Sequence, residues 1–99
     1  MYKLIVLPKV KRDIQKVANW YNQQQKGLGK RFTSEVREAR QYIHQHPLKV
    51  QIRYDEIRMF KINIFPYCLH FKVDEQNKVI TLAAIFGTKQ DPGKWKEHS

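Results

Sequence analysis

Ninety-nine residues suffice for one hydrophobic core and one domain, expected to span 1–99, and a hydrophobic content of 41% with 12% aromatic excludes wholesale disorder. The lone cysteine, Cys68, excludes an internal disulfide and a multi-cysteine zinc site, and no apolar run approaches the roughly 20 residues that a membrane helix needs. Nineteen Lys and Arg against nine Asp and Glu give a formal charge of +10, with +8 in residues 1–50 and +2 in residues 51–99; that field favours a nucleic acid or an acidic protein as partner and no membrane role.

The opening "MYKLIVLPKV" has too short an apolar stretch for a secretory leader and lacks a small-residue cleavage site, so a reducing cytoplasm is the expected compartment. Residues 2–8, "YKLIVLP", suit a short strand closed where Pro8 removes an N–H. The period then becomes helical: Val10, Ile14, Val17, Ala18 and Tyr21 recur on one face, with Lys9, Lys11, Arg12 and Lys16 on others. "KGLGK" supplies two glycines for a tight reversal. A second stripe, Leu28, Phe32, Val36, Ala39 and Ile43, is stopped by His46-Pro47, so the two helices should pair as an antiparallel hairpin.

After Pro47 the period is two. "LKVQIRY" places Leu48, Val50 and Ile52 on one face; "EIRMFKINIF" places Phe60, Ile62 and Ile64 opposite Met59, Lys61 and Asn63. In "PYCLHFKV", Tyr67, Leu69, Phe71 and Val73 face one way, and Cys68, His70 and Lys72 the other. "DEQNK" reads as a hairpin loop, and "VITLAAIF", apolar on both faces, reads as a central strand. The order β-α-α-β-β-β-β defines an α+β domain: a curled antiparallel sheet over a helical hairpin, the N-terminal strand at one edge, with a short C-terminal helix starting near Pro92.

Catalytic chemistry is sparse. His44 and His46 stand two residues apart at a helix end and cannot share a face, so no metal site is expected there, and no cofactor motif is present. His70 could serve as a general base, but reads more simply as an exposed strand residue. Cys68 and His70 point the same way about 7 Å apart, too far for a nucleophile–base pair in ideal strand geometry. Arg58, Lys61, His70 and Lys72, joined by Lys89, Lys94 and Trp95 of the tail, could line one concave surface that takes phosphates and stacks a base, or else form a solvated face that blunts edge aggregation.

The order of elements, the phrase "IQKVANWYNQQQKGLGKRFTSEV", the strand pair "IRMFKINIFPYCLHFKV" and the ending "AAIFGTKQDPGKW" together resemble the RelE/ParE superfamily of type II toxin–antitoxin toxins, over nearly the whole chain. The resemblance implies a toxin of the plasmid-stabilisation type, without cofactor, neutralised in a hetero-oligomer by a small antitoxin whose acidic amphipathic segment would suit the basic N-terminal half. It also implies one of two actions: RelE-like ribosome-dependent cleavage of messenger RNA, or ParE-like poisoning of DNA gyrase by binding. Gly87 and Gln90 stand where many relatives carry a His and an Arg, and Cys68 where RelE-like nucleases tend to carry an Arg. The sequence therefore sits closer to the ParE-like arm.

On that reading Arg58, Lys61, Lys72, Lys89, Lys94 and Trp95 grip the target, and Val10, Ile14, Val17, Tyr21, Phe32 and Val36 form the core and the floor for an antitoxin helix. A nuclease would have to use His70 or Lys89 with Arg58. A third alternative is a family member that keeps the fold and binds antitoxin without toxicity.

Overall fold

Where the apolar period switches from two to 3.6 at Pro8, the backbone switches from strand to helix. The computed structural model describes residues 1–89. Strand β1 is Lys3–Val6, helix α1 is Pro8–Gln24 and helix α2 is Leu28–Gln45. A single 3-10 turn, Pro47–Lys49, leads to β2 (Ile52–Tyr54), β3 (Ile57–Lys61), β4 (Tyr67–Asp74) and β5 (Val79–Gly87). Pro8 is the first helical residue, where its missing N–H would have no partner anyway, and the Leu7 carbonyl accepts from the Val10 and Lys11 amides.

The helical hairpin turns at Gly27, whose φ of 88° is the left-handed region that favours glycine. Gly29 was expected in the same reversal but lies inside α2. Its amide donates to Asn22 Oδ1 at 2.8 Å, and a Cβ there would come within 2.2 Å of the Ala18 carbonyl oxygen. That absent side chain is what lets the two helices touch.

The sheet runs β1-β5-β4-β3-β2. β1 takes the expected edge and pairs parallel with β5, because the two helices carry the chain back across the sheet; the remaining pairs are antiparallel. β5 is interior, between β1 and β4, in line with its two-sided apolar character. Phe71 pairs with Leu82 but His70 pairs with Ala84, so Ala83 is an extra residue and the strand's alternation slips by one there. The slip turns Ile80, Leu82 and Ile85 all toward the helices, where they meet Ala18, Phe32, Val36, Ala39, Ile43, Leu69 and Phe71. Phe32 is the hub of this core, its ring within 5.6 Å of the Tyr21, Phe65 and Tyr67 rings.

Three expectations need correction. Leu48 and Ile52 are exposed and only Val50 is buried, because Pro47 starts a 3-10 turn and the strand begins later, at Ile52. β3 ends at Lys61: the Phe65 amide donates to the Asn63 carbonyl at 2.8 Å, which turns the chain tightly at Ile64, with φ 74° and 58% exposure. His70 is no exposed strand residue, being only 1% accessible.

Candidate functional site

By register, Cys68, His70 and Lys72 of β4 and Ala84 and Phe86 of β5 share the sheet face turned away from the helices. All but Lys72 are buried, and they stand outside the main core cluster. His70 is their centre. Its Nδ1 is hydrogen-bonded to the Tyr54 hydroxyl at 2.9 Å, and its ring meets the Phe86 ring edge-on at 5.0 Å. Burial pushes the imidazole down to about 4, so it is neutral at pH 7. Burial likewise raises the Tyr54 hydroxyl, helped by the Asp55 carboxylate. It raises the Cys68 thiol too, against the opposing pull of Lys61 and Arg53. This face therefore holds neutral groups at its centre and cations at its margin.

The cations expected to act together are separated, and two are engaged with backbone. Arg58 Nη1 donates to the Val50 carbonyl at 2.7 Å and the Leu48 carbonyl at 3.5 Å, bracing the turn after α2. Lys61 Nζ donates to the carbonyls of Ile62 at 2.9 Å and Phe65 at 3.2 Å, bracing the β3–β4 loop. Arg58 and Lys72 do line one groove, but with Glu56, Asp74 and Glu75 beside them. Lys89 lies at a different groove, with Trp20, Tyr21, Pro66 and Tyr67. Gly87 closes β5 opposite Tyr67. Gln90, Lys94 and Trp95, and the helix expected from Pro92, lie outside the described residues.

Of the six residues expected beneath an antitoxin, Val10 and Phe32 are wholly buried, and Ile14, Val17 and Tyr21 are half-buried beside the core. Ile14 and Val36 line a groove of about 240 Å³ between β1 and the helices, floored also by Val6 and Leu82. Lys11, Arg37 and Arg40 line the same groove. Lys11, Arg40 and Val6 also line the adjoining hollow with Leu4, Gln41 and His44, so one channel follows the edge strand. His44 Nε2–H donates to the Tyr2 carbonyl at 2.7 Å and ties the end of α2 to the start of β1.

No carboxylate is among the described residues lining either hollow. The sequence reading singled out the apolar floor of this channel but not Arg37 and Arg40. Their spacing of three on α2 was the available signal, and only the sheet edge beside them makes a channel of it.

Among the described residues, no three of His, Cys, Asp and Glu gather closely enough to hold a metal ion, and no helix is long and apolar enough to cross a membrane. The sequence model of the family described as ParE toxin of type II toxin–antitoxin system, parDE, matches residues 4–92. The fold is similar to a chain of the chromosomal ParDE TA system from P. aeruginosa, with a TM-score of 0.78 and 16% identity over 90% of this chain and 98% of that one. It is also similar to a chain of the archaeal RelE-RelB complex from Pyrococcus horikoshii OT3, with a TM-score of 0.56 and 12% identity over 91% and 98%. A comparison with curated proteins finds no match.

Proposed function

The chain belongs to the ParE family of toxins of type II toxin–antitoxin systems, and from that premise we propose that it arrests growth by gripping a target, DNA gyrase, rather than by cleaving RNA. The observation that carries this reading is the engagement of the groups a nuclease would need. His70 is 1% accessible, so a substrate does not reach its ring, and being neutral at pH 7 it is not the imidazolium that a general acid needs. Arg58 has its guanidinium on two backbone carbonyls. Transition-state stabilisation of a phosphate needs cationic donors aimed at one point, and here Arg58, Lys61 and Lys89 line different hollows. A binding surface has no such requirement. On this reading Arg58, Lys61, Lys72, Lys89, Lys94 and Trp95 are contact residues in the cytoplasm of the host cell.

The neutralising partner is an antitoxin with an acidic, amphipathic segment. Its apolar side chains lie on Val6, Ile14, Val36 and Leu82, and its carboxylates meet Lys11, Arg37 and Arg40. Inducing the chain without antitoxin in a bacterial host tests the whole reading. Growth arrest with DNA-damage signalling and intact messages supports it. Messages cut on the ribosome would replace it with the nuclease reading, and normal growth with soluble, folded chain would leave a non-toxic antitoxin binder.

A further inference from the structure

A face of α1 distinct from the antitoxin channel carries its own binding chemistry. Arg12, Lys16 and Trp20 recur every four residues on this helix, so they share one side at steps of about 6 Å along the axis. All three are exposed, Trp20 to 54%. Its indole stands edge-on to the Tyr21 ring at 5.0 Å. Beside it opens a groove of about 440 Å³, lined by Trp20, Tyr21, Pro66, Tyr67, Thr88 and Lys89. No carboxylate is among the described residues lining it, and the one acid on α1, Asp13, is half-buried beside Arg12.

A row of cations that ends in an exposed indole and an aromatic groove matches a single strand of nucleic acid. Lysine and arginine neutralise successive phosphates, and an unstacked base lies on a ring face whatever its sequence. A duplex keeps its bases stacked and has nothing to offer Trp20. An acidic peptide would use Arg12 and Lys16 but leave the aromatic groove unused, and an apolar segment would do the reverse. We propose that this face of α1 and the groove beside it bind single-stranded nucleic acid, with phosphates at Arg12 and Lys16, a base against Trp20, and a further phosphate at Lys89 of the groove. The site shares Lys89 with the proposed gyrase contacts and Tyr21 with the expected antitoxin floor, but no residue with the channel beside β1.

The test is fluorescence anisotropy of the full chain with labelled 12-mers of deoxythymidine and of uridine, a 12-base-pair duplex, and poly-glutamate as competitor, repeated across a salt series. At fixed salt, both single strands should bind more tightly than the duplex. Trp20→Ala should weaken them on the order of tenfold while Trp20→Phe keeps most of the affinity. Lys16→Ala should lower the slope of log affinity against log salt by about 0.7, one phosphate contact. A preference for one strand over the other names the source, RNA or DNA. Equal affinity of Trp20→Ala and the unaltered chain overturns the proposal, as does a duplex bound as tightly as the strands. So does poly-glutamate whose binding also falls with Trp20→Ala, since the face would then be a peptide site.

Discussion

Acidification should destabilise this protein through His70, and the size follows from its environment. In the unfolded chain the imidazole titrates near 6.5; packed among Tyr54, Phe86 and Cys68 it titrates near 4. A folded-state value below the unfolded one means that the unfolded chain takes up the proton first. The contribution to stability is thus intact above pH 6.5 and is lost as pH falls toward 4. Integrating proton uptake between those two values gives a loss of about 2 kcal/mol between pH 7.5 and pH 5, and about 3 kcal/mol once both states are protonated.

The assay is urea unfolding at a series of pH values for the unaltered chain and for His70→Gln, which keeps a polar partner for the Tyr54 hydroxyl but does not titrate. The difference between the two curves isolates the contribution of His70. A difference that slopes by about 2 kcal/mol over that interval supports the packing described here. A flat difference, or an imidazole titration measured by NMR near 6.5, would refute it. It would also restore to His70 the imidazolium form that the binding reading denies it.

Two further outcomes follow from the helices. Gly29→Ala should cost about 2–4 kcal/mol, because the new Cβ meets the Ala18 backbone and forces apart a helix pair that also shares the Asn22 bond; thermal or urea unfolding reads it, and a change under 0.5 kcal/mol would mean that the helices do not touch there. Arg37→Glu together with Arg40→Glu should weaken antitoxin binding at least tenfold, most strongly at low salt, and leave toxicity in the absence of antitoxin intact. Calorimetry and a growth assay separate the two effects, and unchanged affinity would move the antitoxin elsewhere.

The helical hairpin was legible because Leu28, Phe32, Val36, Ala39 and Ile43 repeat without interruption and Pro47 ends them cleanly. The edge position of β1 and the interior position of β5 were legible too, from their length and two-sided apolarity. Local period could not reveal the bulge at Ala83, nor that Arg58 would cap the carbonyls of the turn after Pro47. Both depend on partners far along the chain. His70 misled for the same reason: alternation gave its face correctly, but Tyr54 and Phe86 come to that face from other strands and bury it. The basic residues were visible one by one. Their division among separate hollows is set by the twist and register of the sheet, which composition does not encode.

The most direct test of binding without cleavage is a supercoiling assay with purified gyrase and the purified full chain, run beside translating ribosomes carrying a labelled message. The account expects supercoiling to fall as the chain is added, recovery when the antitoxin is supplied, and a message that stays whole. Undiminished supercoiling together with cuts in the message at the ribosomal A site would contradict it.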